Sequence, residues 1–438
     1  MKIKTLWMIV GIVAIGILAA VCLNTRVMKA GQTAPADTAT FDLKYRGIDT
    51  LGDPLDYRSY WGFGGPPEAS DPFILAVKSQ VKEYTPVYNG ELPKAKWAVV
   101  ELQDKKPVAF YFDINADGKV SDNEKFLPVP TEGASVGFAY AFVTSDFVMR
   151  TDDRRQIPFR VMLVGNAYGS DQISYMWSPA CVLEGQTTLA GEPMKLFLYA
   201  NNFSASFTTF GWSQFTLVPA GQKLEGYLPR SALSSLVQHN GTFYRVKVSG
   251  THEKDKTVQV VFEKDTRPTG RMALALQGTE TLKTRLQSVT IAGTTDNSIN
   301  FGMRNPESPM PEGQYRLSYA NISYGTENAD QWRIILNEGP SFEIKADQTH
   351  NLELGGPKLS IKAIDEQDRY KSDVKERSSF AKGTAIYLTP QIKGNAGEAY
   401  MRFSQKDAGA NRMNDIKPHL TIVNAEGKQV VSTDLEYG

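Results

Sequence analysis

Val108-Ala109-Phe110-Tyr111-Phe112-Asp113-Ile114-Asn115-Ala116-Asp117-Gly118-Lys119-Val120-Ser121-Asp122-Asn123-Glu124-Lys125-Phe126-Leu127-Pro128-Val129-Pro130 is the stretch that decides how this chain is built. A run of β-branched and aromatic residues enters it, which suits a strand. Two prolines within three residues leave it, and a residue without an N–H cannot continue a helix. The polar middle is therefore a loop held between two extended segments. Just upstream, Lys96 to Glu101 reads as a partner strand, joined through the polar turn Gln103-Asp104-Lys105-Lys106.

The middle of the stretch has the residue types and spacing of a cation site. A calcium ion takes six to eight hard oxygens at loose geometry. A twelve-residue loop supplies them from side chains at positions 1, 3 and 5, a main-chain carbonyl at 7, a water at 9 and a bidentate carboxylate at 12. Those positions are Asp113, Asn115, Asp117, Lys119, Ser121 and Glu124, with Gly118 at the sharp turn and Val120 as the apolar anchor. Asp113, Asp117 and Glu124 place three formal negative charges around one point, and an all-oxygen set argues against zinc or copper. The run resembles the EF-hand calcium loop, whose pattern D-x-[DN]-x-[DN]-G-x5-E is matched at every defined position. The resemblance covers the loop alone and is nearest to EF-hand-like loops set in exported bacterial β-proteins. It implies Ca2+ as cofactor and a structural staple, without the helix-opening response of calcium sensors.

Outward from the loop, the chain reads as short strands divided by turn residues. Phe138 to Phe147, Phe159 to Val164 and Gln172 to Trp177 are expected strands. Cys181–Leu189 and Pro193–Tyr199 read as a hairpin around Ala190-Gly191-Glu192. Laid on the loop, Tyr199 to Ser204 has the outline of a second copy without its carboxylates, though two unrelated hairpins would look the same. Val258–Phe262, Met272–Leu276 and Pro311-Glu312-Gly313-Gln314-Tyr315-Arg316-Leu317 follow, then strands at Leu359–Ile364, Ala385–Pro390, Ala399–Phe403 and His419–Val423. The fold class expected is mainly β and multi-domain, with antiparallel β-sandwich-type domains around a strand-flanked loop. The units are 41–250, 251–357 and 358–438, after a small-residue linker at 31–40. Pro311 to Leu317 and the closing unit resemble, in pattern only, the prealbumin-like or immunoglobulin-like accessory modules of exported bacterial proteins.

Residues 1–30 read as a signal peptide or N-terminal membrane anchor. Lys2 and Lys4 precede an uncharged run from Leu6 to Leu23, and Arg26 and Lys29 follow it. The expected address is extracytoplasmic: periplasmic, cell-surface or anchored. Cys22 and Cys181 are the two cysteines, so beyond the targeting segment no disulfide or dithiol is available. Lys+Arg and Asp+Glu both number 48, which gives no global attraction to nucleic acid.

Catalytic patterns fail on inspection. His239, His252, His350 and His419 are too widely spaced for a metal motif. Ser79-Gln80-Val81-Lys82, Ser372 with Lys375, and Ser379 with Lys382 satisfy S-x-x-K, yet K-T-G is absent and S-D-N falls inside the acidic loop. Gly211-Trp212-Ser213-Gln214-Phe215 ends in phenylalanine where a nucleophile elbow has glycine. The expectation is an exported, non-catalytic calcium-binding protein of the cell envelope or surface, with a cell-surface protein or polysaccharide as partner. Two alternatives stand beside it. One is a carbohydrate-active or carbohydrate-binding protein using aromatics near Trp61 and Trp212. The other is a partner or inhibitor subunit of an envelope complex.

Overall fold

A computed structural model describes residues 37–51, 53, 55, 61–62, 73–78, 96–104, 106–115, 120–131, 139–150, 156–168, 172–200, 207–224, 228, 230–250, 257–277, 283–303, 305–326, 329–366, 379–406 and 413–435. Among these residues the secondary structure is strand throughout, apart from short 3-10 turns, in several mostly antiparallel sheets. The protein is thus a mainly β, multi-domain chain. Two parallel pairs break the antiparallel rule: Phe73–Lys78 with Lys96–Gln103, and Thr269–Leu276 with Thr349–Leu354.

The first strand organises the N-terminal half. Thr38–Gly47 alternates in its first half, so that Ala39, Phe41 and Leu43 point inward. Residues 38–43 pair with Val258–Lys264, and residues 44–47 pair with Cys181–Leu189. One strand therefore joins two sets of strands into an eight-stranded sheet. The junction requires a close approach at Gly185, where a Cβ would lie 2.5 Å from the Asp42 carbonyl oxygen and 2.7 Å from a Leu43 methyl. Beneath the sheet is a phenylalanine-rich core. Phe110 sits within 6.2 Å, ring centre to ring centre, of Phe112, Phe126 and Phe142, and Phe147 and Phe159 continue the cluster.

The second core collects Met272, Leu274, Ile291, Leu317, Ile322 and Leu336. Strand pairing crosses the expected unit limits. Val258–Lys264 lies past residue 250 but pairs with Thr38–Gly47 and Thr242–Ser249. The strand Thr38–Gly47 also begins inside the expected linker. Past residue 357, Ala399–Lys406 pairs with Ala329–Glu338, which brings four strands of the closing unit into a nine-stranded sheet. Gly250 and Gly355-Gly356 do turn with positive φ, but a turn does not tell which distant strand the chain meets next.

In place of one strand from Phe138 to Phe147, the described residues form Tyr140–Val143 and Phe147–Arg150, while the strands expected at Phe159 to Val164 and Gln172 to Trp177 extend as Val161–Tyr168 and Gln172–Pro179. The expected targeting segment lies outside the described residues. No helix among the described residues is long and apolar enough to cross a membrane.

Candidate metal centre

Both feet of the acidic loop are fixed by strand pairing. Lys106–Phe112 pairs with Lys96–Gln103 on one side. On the other side it takes back the chain after the loop, with Phe110 opposite Phe126 and Tyr111 opposite Lys125. Neighbouring strands are about 4.8 Å apart, so the first and last positions of the loop are brought together by the sheet itself. Phe110 and Phe112 anchor the entering strand in the aromatic core. Val120 is buried with Val99, Ala109 and Tyr111 on the opposite face.

Asp113 is 1 % exposed and Glu124 5 %. The Glu124 carboxylate closes the loop: Oε1 accepts the amides of Ile114 at 2.9 Å and Asn115 at 3.3 Å. Its Oε2 accepts the Ser121 amide at 3.2 Å and the Ser121 hydroxyl at 3.3 Å. Asp122–Glu124 forms a single 3-10 turn, with the Glu124 amide donating to the Ser121 carbonyl at 3.0 Å. The strand Lys125–Phe126 and Pro128 end this turn. Asp122 and Asn123 face outward.

Of the six sequence-derived ligand positions, Asp113 and Glu124 come together, Ser121 is bonded to Glu124, and Asn115 is exposed beside them. Asp117 and Lys119 lie outside the described residues. Among the described residues no three His, Cys, Asp or Glu side chains form a metal-holding group. The donor chemistry fits a hard cation, since the loop offers oxygens alone, two of its carboxylates buried. The role of Glu124 as hydrogen-bond acceptor for the loop's own amides was missed by counting ligands. The Ser-x-x-Glu spacing from Ser121 to Glu124, a capping-box signature, carries that information.

Other sequence candidates scatter. His350 stacks on Phe342, 5.2 Å between ring centres, and His419 lies 2.7 Å from Asp434. Burial lowers the pKa of His239, partly countered by Glu192. His252 lies outside the described residues. Trp212 is 68 % exposed, on the turn that follows Thr209. The side chain of Trp61 is outside the described set, as are residues 201–206 of the expected second copy. Tyr199 is buried at its strand end with the Arg230 guanidinium 4.4 Å above its ring. Cys181 is buried, and burial pushes its thiol up to about 12, which makes it unreactive.

Fold and loop together define a multi-domain β protein with a strand-flanked acidic loop. No protein-family model and no curated protein matches the chain. Among solved structures it is similar to a leucine-rich repeat protein from Bacteroides thetaiotaomicron, at 13 % identity and a TM-score of 0.16. The match covers 50 % of this chain and 25 % of that one, a likeness too slight to carry fold or function across.

Proposed function

We propose that the protein is an exported, non-catalytic calcium-binding β protein of the cell envelope or surface, in which the ion staples the loop 113–124 between its two strands. The observation that supports this most directly is the burial of Asp113 and Glu124 at the joined ends of an oxygen-only loop. Burying one carboxylate is offset by hydrogen bonds, but two at one loop closure make a strongly negative pocket that a divalent cation neutralises. Glu124 already holds the loop's amides, so the closure is preorganised and the ion adds to it. The location rests on the apolar N-terminal run, Leu6 to Leu23, with its flanking lysines.

The test is a calcium titration of thermal stability on the full chain and on Asp117→Ala. Wild type should gain about 2.7 kcal/mol at a hundredfold excess of calcium over Kd. Asp117→Ala should gain nothing. A wild-type melting temperature indifferent to excess calcium leaves Glu124 as a self-capped turn without metal and ends the proposal.

A further inference from the structure

The strand Lys358–Asp365 ends the nine-stranded sheet. It pairs with Ile386–Lys393 along its whole length, and among the described residues no strand meets its other edge. Opposed residues on antiparallel strands share a face. Leu359, Ile361 and Ala363 therefore lie with Ile392, Pro390 and Leu388 on one face, and Lys358, Ser360 and Lys362 with Lys393, Gln391 and Thr389 on the other; at the far end the division is lost, with Asp365 on the first face opposite Ile386 and the buried Ile364 on the second. The apolar face is incompletely covered: Leu359 is 48 % exposed, and Ile386 at its far end 47 %. On the second face Lys358 and Lys393 stand directly opposite each other, both exposed and with no carboxylate partner among the described residues. Like charges directly opposed across a pair destabilise it.

We infer that this edge receives an extended strand from another protein, with apolar residues at alternate positions and acidic residues between them. Such a strand takes up unpaired backbone groups by β-augmentation, the common mode at an exposed sheet edge. Its apolar residues extend the Leu359–Ile361–Ala363 row, and its carboxylates answer the opposed lysines. Edge lysines also serve to discourage pairing. That role accounts for Lys358, but not for an apolar row left half open beside it. A second copy of this chain fits poorly, because aligning the two polar faces adds a second Lys358 and a second Lys393 and brings no carboxylate to that face. The inference is independent of the calcium loop.

The experiment uses the full chain and three labelled ten-residue peptides, followed by fluorescence anisotropy. One alternates Val and Glu, one alternates Val and Lys, and one scrambles the Val/Glu sequence. The Val/Glu peptide is expected to bind at least tenfold more tightly than either of the others. The double variant Lys358→Glu/Lys393→Glu, changed only at exposed positions, is expected to reverse the preference toward Val/Lys. Absence of binding at millimolar peptide, equal binding of the scrambled peptide, or a preference untouched by the charge reversal overturns the inference. Sedimentation showing that the chain dimerises, with the dimer altered by the double variant, would assign the edge to a second copy and overturn it as well.

Discussion

The strand Thr38–Gly47 and the strand Gln429–Asp434, near the two ends of the described chain, handle their edges in opposite ways. The first is paired along its length, one half to each of two partners, and its inward residues reach 0 % exposure at Phe41. The second has one partner, and all six of its residues are exposed. Between them the burial falls off: the aromatic core around Phe110 is closed, whereas Lys358–Asp365 and Ile386–Lys393 leave every residue but Ile364 exposed or half-buried. The difference teaches where the folding free energy lies. Apolar burial contributes about 25 cal/mol per Å2, so the N-terminal sheets supply most of it and the C-terminal strands are held mainly by pairing.

The sharpest way to break this contrast is in the aromatic core. Phe110→Ala removes a ring that packs against Phe112, Phe126 and Phe142, and should cost about 3–5 kcal/mol. Ile361→Ala, at a site 36 % exposed, should cost under about 1 kcal/mol. Urea denaturation of both variants checks the ratio, and comparable losses would mean the C-terminal sheet is better packed than its exposure indicates.

The next effect concerns the joint between the two cores. Asp265 follows the strand Val258–Lys264, and its carboxylate is 1 % exposed. It accepts the Arg267 amide at 3.0 Å and the Arg267 guanidinium at 2.5 Å, while Arg267 Nη1 donates to the Glu312 carbonyl at 3.0 Å. Burial alone would raise the Asp265 pKa. The hydrogen bonds from Arg267 outweigh it, and the pKa lies below the ordinary aspartate value. A depressed carboxyl contributes its stability in full above the unfolded value, near 3.9, and loses it as pH falls through the lower folded value. Asp265→Asn should therefore cost about 1–3 kcal/mol at pH 7 and flatten the acid limb of stability against pH. An unchanged acid limb would remove Asp265 from the joint.

How far such features can be read without coordinates depends on whether their cause is local. The hairpins Lys96–Phe112 and Cys181–Tyr199 are legible because a short turn and two β-rich runs are enough to specify them. The strand that enters the acidic loop is legible for the same reason, and so is the extended segment that leaves it. The partnership of Thr38–Gly47 with Val258–Lys264 spans more than two hundred residues, and no turn or period announces it. The expected unit limit at 250 falls between Thr242–Ser249 and Val258–Lys264, two strands that pair with each other, and the second returns to the first sheet. The Glu124 contacts to Ile114 and Asn115 were half legible: Ser121 marks a cap, but the closure needs the pairing of Tyr111 with Lys125.

That long-range pairing gives a smaller and more local test. Gly185→Ala keeps the strand's polarity but sets a methyl 2.5 Å from the Asp42 carbonyl oxygen, on backbone that cannot swing aside. The expected loss is about 1–3 kcal/mol, as for an overpacked site. Gly191→Ala meets no steric obstacle and is strained only by its φ of 82°. Its cost should be about 1–2 kcal/mol, from the left-handed backbone alone. If crowding governs the first site, a Leu43→Ala background, which removes the second obstructing atom, should recover part of the Gly185→Ala loss. No recovery would place the cost in the backbone contact alone.

The smallest effect belongs to the closing hairpin, and it decides whether the two ends are one cooperative unit. The hairpin His419–Val423 to Gln429–Asp434 depends on its turn: Asn424 Oδ1 accepts the amides of Glu426 at 3.2 Å and Lys428 at 2.8 Å, and Gly427 turns with φ 79°. Val430, 57 % exposed, offers little burial, so Val430→Thr should stay within about 0.5 kcal/mol. Local openings span the range from near zero to the global free energy, and weakly buried pairs belong at the low end. The amides of this hairpin should therefore exchange by local opening, at rates that Phe110→Ala leaves unchanged while the amides of Lys106–Phe112 accelerate. If both sets accelerate together, the thinly covered C-terminal hairpin draws its stability from the aromatic core although it belongs to a separate two-stranded sheet, and exposure is then a poor guide to where this protein opens first.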